Sequence, residues 1–169
     1  MSIQADLQIV HYLVTKIHVE FNPIYFRGKE ESTILSDIKM IDPDIDFYVS
    51  PIDEKNELYS NLTVNLGIED RDKPTPLKYS LELFGVFSIK PETSEDLRNK
   101  LLPLNPAAML YGIARGVLGQ ILGQGPLKDY VLPSVNFAEI YKRKLLKVIK
   151  EKSVAKAKKT KSKRPLREK

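Results

Sequence analysis

The sequence predicts an α+β fold, an antiparallel four-stranded sheet with helices packed on one face. Two observations carry that reading. Segments of alternating apolar residues fill the first half of the chain, and helical periodicity fills the second. The clearest strand, Leu58 to Ile68, has one apolar parity (Leu58, Leu62, Val64, Leu66, Ile68) and one polar parity (Tyr59, Asn61, Thr63, Asn65). One face of the sheet is therefore covered and the other is wet.

In chain order, Leu7 to Phe21 alternates in two phases: Ile17, Val19 and Phe21 share one parity, and Val10, Tyr12 and Val14 the other. Such a strand is either covered on both faces or changes phase through a bulge. Asn22-Pro23 ends it. Residues 24–43 mix apolar and charged residues and predict no clear element; a long connection this apolar is often functional. Ile45, Phe47 and Val49 make a short strand closed by Pro51. After the turn EDRDKPTP, residues Leu77 to Ile89 make a fourth strand, with Gly85 where a bulge or tight contact would sit. Pro91-Glu92-Thr93-Ser94 introduces a short helix to about Leu102.

The stretch Asn105–Tyr141 reads as helix, linker, helix. Asn105 is expected to cap the first helix, with Pro106 at its first position. Met109, Leu110, Ile113, Val117, Leu118, Ile121 and Leu122 recur at helical spacing. Ala108, Gly112, Gly116, Gly119 and Gly123 form a second stripe, of small residues. Each mid-helix glycine costs about 1 kcal/mol against alanine, so four of them predict a close approach, either within the monomer or at a subunit interface. Gly125-Pro126 ends this helix. Asn136, with Glu139 three residues on, sits in capping-box position before a helix whose stripe is Phe137, Ile140, Tyr141, Leu145, Val148 and Ile149.

At 169 residues and 42% hydrophobic composition, the chain supports one sizeable core. The predicted organisation is a folded domain over 1–152 and a basic, disordered tail over 153–169. The net charge of +5 hides an asymmetry. Lys142 to Lys169 holds 14 Lys/Arg and 2 Glu, net +12, leaving 13 basic and 20 acidic residues, net −7, for the body. No cysteine is present, so disulfides and thiolate chemistry are excluded. The first residues lack the pattern of a signal peptide, and Arg115 and Gln120 argue against membrane insertion of the Asn105–Gly123 helix. A cytoplasmic protein is expected.

No catalytic constellation is visible, and neither an enzyme nor a bound cofactor or metal is expected. His11 and His18 have opposite parity and share a face only if a bulge intervenes. Asp42, Asp44 and Asp46 form an acidic row without the glycine and distal glutamate of a calcium loop. No phosphate-binding glycine loop occurs.

Tyr111, Ala114–Arg115, the Gly125-Pro126 break and LPSVNF (Leu132–Phe137) before an amphipathic helix resemble the SecB family of protein-export chaperones. LELFGVFSI (Leu81–Ile89) and Leu7–Glu20 extend the likeness over most of residues 7–148. The resemblance implies an ATP-independent molecular chaperone that holds non-native polypeptide clients in apolar grooves, keeping them export- or assembly-competent. Phe26, Ile34, Leu35, Ile41, Ile140 and Tyr141 are the implied client-binding residues. It also implies a homo-oligomer, a dimer of dimers, with Ala108, Gly112, Gly116, Gly119 and Gly123 at the oligomer interface.

Two departures from the family stand out. The translocase motor ATPase docks on outer-face carboxylates and a short tail; Glu20 fits one acidic position, but Lys16 and Ser80 replace others and the tail is a lysine run. Docking of that motor is therefore not expected, and a chaperone dedicated to one partner, such as an antitoxin, is an alternative. A rival from another class is a nucleic-acid- or ribosome-associated module acting through the tail, whose charge holds phosphate without reading sequence. The tail could equally recruit another acidic partner.

Overall fold

The structure, a computed structural model, describes residues 5–52, 57–67 and 75–146. The first of two units, Met1–Val135, holds β1 (Leu7–Phe21), α1 (Glu31–Lys39), β2 (Asp44–Ile52), β3 (Glu57–Leu66), β4 (Leu77–Ile89), α2 (Glu95–Leu101) and α3 (Asn105–Leu122). The second, Asn136–Lys169, holds a helix, α4, over 137–146. The expected tail, and with it the expected boundary at 152, lies outside the described residues.

The strands form one antiparallel sheet in the order β1-β4-β3-β2, so β1 and β2 are its edges. Strand alternation decides its faces. On β3, Leu58, Leu62, Val64 and Leu66 are buried, and their partners on β4 (Phe87, Leu83, Leu81 and Tyr79) are buried with them. This inner face carries α3, which packs on β2, β3 and β4 through Ala107, Leu110, Tyr111, Ala114, Leu118 and Leu122. At the crossing the sheet is thinned by a paired Ser60 and Gly85. A Cβ on Gly85 would lie 2.8 Å from the Phe87 ring and 2.9 Å from a Leu110 methyl. The expected tight contact is real, and no bulge accompanies it on β4.

β1 resolves its two phases in a way the sequence left open. Its register against β4 slips twice, between Ile9 and His11 and between Val14 and Lys16. Val10 and Thr15 are the extra residues of two bulges, and the Thr15 hydroxyl donates to the Glu82 carbonyl at 3.2 Å. With these two set aside, Leu7, Ile9, Tyr12, Val14, Ile17, Val19 and Phe21 alternate without a break, all opposite inner-face residues of β4. The bulge at Thr15 lies between His11 and His18 and places both on one face, the outer one, the case that parity allowed only with a bulge.

Other boundaries shift locally. Residues 31–39 of the apolar connection form α1, where no element was expected. β2 runs through Pro51 to Ile52, which an edge strand tolerates because proline's missing donor can face outward. Ser94 caps α2 as its hydroxyl accepts the Leu97 N–H at 3.4 Å. Leu104, not Asn105, is the N-cap of α3, which places Pro106 second in the helix. The run Glu95–Leu122 is long and apolar enough to cross a membrane by length and composition alone, but it is two helices, and α3 buries its apolar face on the sheet.

Three tyrosines fix the linker after α3. Tyr79 and Tyr130 hydroxyls lie 3.4 Å apart in the core, and the Tyr111 hydroxyl donates to the Pro133 carbonyl at 2.7 Å. Burial pushes all three phenols up, that of Tyr111 to about 12, so they stay neutral donors. In the second unit, Asn136 Oδ1 accepts the Glu139 N–H at 3.2 Å, the expected cap.

Candidate functional site

The connection from β1 to β2 is built in two steps. First, Asn22 turns the chain: its backbone N–H bonds Pro76 O at 3.1 Å, its side chain accepts the Ile24 N–H at 3.1 Å, and its carbonyl accepts the Tyr25 N–H at 3.0 Å. Phe26 packs edge-on to Phe21, centroids 6.4 Å apart. Gly28, at φ +70° with open space around it, then redirects the chain into α1. That helix has no side-chain N-cap and buries only Ile34 and Ile38.

A polar cluster joins the turn to α1. The Tyr25 hydroxyl donates to Asp37 Oδ2 at 2.6 Å; the Lys29 ammonium lies 3.4 Å from the same oxygen and 3.7 Å from the Tyr25 ring centroid. The Tyr25 hydrogen bond, and then Lys29, hold the Asp37 carboxyl below its usual range. The Tyr25 hydroxyl, and then Asp37, hold Lys29 above its own.

Of the client-binding residues expected from sequence, Phe26, Leu35 and Ile41 are half-buried in this connection, with Ile24 and Met40 exposed beside them in the chain. Ile34 is only 2% exposed, so a client cannot reach it while α1 is seated. Ile140 and Tyr141 are half-buried residues of the second unit.

Two further apolar surfaces lie open. On β1, Tyr12, Val14 and Ile17 belong to the inner face, yet are 47%, 38% and 46% exposed, and α3 does not cover this edge. On α3 the expected apolar stripe divides. Leu110, Leu118 and Leu122 meet the sheet, while Met109, Ile113, Val117 and Ile121 are half-exposed. The small residues Ala108, Gly112, Gly116, Gly119 and Gly123 are exposed with them. A Cβ on Gly112, Gly116 or Gly119 would meet nothing within 4 Å, which removes packing within the monomer as their reason. An open cavity of about 610 Å³ continues from this face, between Leu7, Leu97, Leu101, Asn105, Ala108 and Met109.

The protein-export protein SecB of Neorickettsia sennetsu is 32% identical over 97 residues, 53% of this chain and 58% of the relative. The match thus takes in a little over half the length of each. Among solved structures, a SecB-like chaperone of Mycobacterium tuberculosis, in complex with a peptide from an antitoxin, superposes with a TM-score of 0.50 at 13% identity. That match covers 78% of this chain and 91% of the other. The chain is thus similar to SecB over part of its length, and it shares the fold of that SecB-like chaperone. No family model matches the chain.

The outer face departs from the acidic surface that the resemblance implies for docking the motor. Lys16 Nζ bridges Glu82 at 3.1 Å, and Ser80 is buried. Across β2, β3 and β4 runs an aromatic ladder, Tyr48–Tyr59–Phe84, with centroids 6.3 and 6.2 Å apart. Asp44 and Asp46 flank it on β2, and Asp46 Oδ1 accepts the Phe47 N–H at 2.9 Å. Among the described residues no group of His, Asp and Glu could hold a metal ion.

Sequence reasoning missed the Tyr25–Lys29–Asp37 cluster, the open row Tyr12–Val14–Ile17 and the aromatic ladder. The row alone left a signal, in the two phases of β1. The cluster joins residues 12 positions apart in a segment without visible periodicity, and the ladder needs the strand register.

Proposed function

We propose that the protein is an ATP-independent chaperone that holds non-native polypeptide on apolar surface of the β1–α1 region. The observation that carries this reading is the inner face of β1. Seven apolar residues are brought to one side by two bulges, and their middle is left open. A single misplaced apolar residue on a surface is ordinary, but a row of them along one strand, with Phe26 packed on Phe21 at its end, marks a binding surface. Open backbone on an edge strand suits extended chain of any sequence, because main-chain groups supply the affinity. The SecB relative and the antitoxin peptide bound by the M. tuberculosis chaperone support a polypeptide client. We further propose assembly as a homo-oligomer, a tetramer, through the open face of α3, where glycines offer close approach to a second helix.

The experiment is suppression of aggregation of a thermally unfolded protein, measured by light scattering without nucleotide. A chain ending at Ser153 should retain activity at raised salt, since apolar contact survives screening of surface charge. Replacing Phe26 and Leu35 by Ser together should weaken it with the oligomer intact. Activity that vanishes with the tail or with salt, together with salt-dependent nucleic-acid binding, would hand the function to the basic tail.

A further inference from the structure

We propose that α1 is a lid on the client-binding surface, hinged at Gly28 and latched shut by Tyr25, Lys29 and Asp37. This rests on the chaperone reading and adds its regulation. Two anchors hold α1. One is apolar, Ile34 and Ile38, at 2% and 0% exposure. The other is the polar cluster, which ties the C-terminal half of α1 to a turn that is itself fixed to the sheet end through Asn22, Pro76 and the Phe21–Phe26 contact. The helix has no N-terminal side-chain cap to hold its other end. Just before it stands Gly28, in a left-handed conformation at φ +70°, where glycine gives the backbone the freedom a hinge needs.

The consequence is a surface of two sizes. With α1 seated, Phe26, Leu35 and Ile41 are partly available and Ile34 and Ile38 are not. With α1 lifted, both isoleucines and the apolar surface they cover join the site. The latch is polar and solvent-accessible, with Lys29 and Asp37 side chains each 39% exposed, so its strength is modest and screened by salt. A lid should be held in this way, because a latch made of core packing would open only with the whole domain.

Tyr25→Phe in the full chain removes the hydroxyl and keeps the ring. Amide exchange over residues 31–39, followed by mass spectrometry, should accelerate roughly three- to tenfold, the loss of one hydrogen bond to a charged group at an exposed site. Exchange in β3 and β4 should not change. Asp37→Asn should act in the same direction, which separates the latch from an accident of one substitution. Affinity for reduced, carboxymethylated α-lactalbumin, a permanently unfolded probe, should rise by a similar factor in both variants. Unchanged exchange over 31–39 would overturn the latch without touching the chaperone reading. Faster exchange with unchanged or weaker probe binding would overturn the lid. If neither wild type nor variants bind the probe, the chaperone reading falls, and the lid falls with it.

Discussion

β4 and β1 are neighbours of similar length, 13 and 15 residues, paired along their whole extent, and they use their apolar residues in opposite ways. β4 is flanked by strands on both sides and covered by α3, so Tyr79, Leu81, Leu83 and Phe87 are buried. β1 presents the same kind of residue to the same face at the sheet edge, where the helix layer stops. Tyr12, Val14 and Ile17 stay open, with Val10 and Leu13 exposed besides. Burial in this domain is therefore decided by place in the sheet rather than by pattern. A pattern unfulfilled within one chain points to a client or a second copy.

Paired substitutions sharpen that contrast. Leu81 and Ile17 face each other across the two strands. Leu81→Ala should cost about 2–5 kcal/mol in denaturant unfolding, by lost burial and a residual cavity. Ile17→Ala should cost under about 1 kcal/mol if its side chain is half in water, as in the single chain. A cost for Ile17→Ala equal to that of Leu81→Ala, growing with protein concentration, would break the comparison: the row would be buried between copies rather than held for clients.

A smaller effect tests the close approach of β4 and α3. Gly85→Ala places a methyl against the Phe87 ring and Leu110, and should destabilise by about 1–3 kcal/mol. Gly112→Ala, in open space, should be neutral to stabilising by up to about 1 kcal/mol in a monomer. If Gly112→Ala instead splits an oligomer in light scattering, the glycine stripe is an interface.

The smallest effect is on pH. Asp37 is held below its usual range, so its contribution is present above the unfolded pKa, about 4, and lost as pH falls through the lower folded value. Lys29 is held above its usual range, so its contribution is present below the unfolded pKa, about 10.4, and lost as pH rises through the higher folded value. Amide protection of α1, corrected for intrinsic exchange, should be flat from about pH 5 to 9 and fall outside that window. A steep change near pH 6.5 would implicate a histidine.

Much of this was legible in the sequence, where local rules decide the outcome. The alternation of β3, the Asn136 cap and the tight contact at Gly85 each depend on a few residues. Where the outcome depends on a partner, sequence gave alternatives or nothing. A bulge is defined by the opposite strand, so the shared face of His11 and His18 was hidden. α1 is nine residues long, too short to show a helical period, and its N-cap, Glu30, makes no capping side-chain bond. Ile34 looked available to a client because only the fold shows which side of that short helix is covered. The half of the α3 stripe left open, Met109, Ile113, Val117 and Ile121, could not be told from the half that meets the sheet.

The two bulges of β1 also make its length part of its specification. Val10 and Thr15 are the two residues that the alternation does not count. A deletion at either would restore a shorter regular strand; a deletion anywhere else would send every side chain beyond it to the opposite face. Within this strand, then, a codon can be lost at two points without turning the faces over, and at Thr15 the loss also removes the hydroxyl's bond to the opposite backbone.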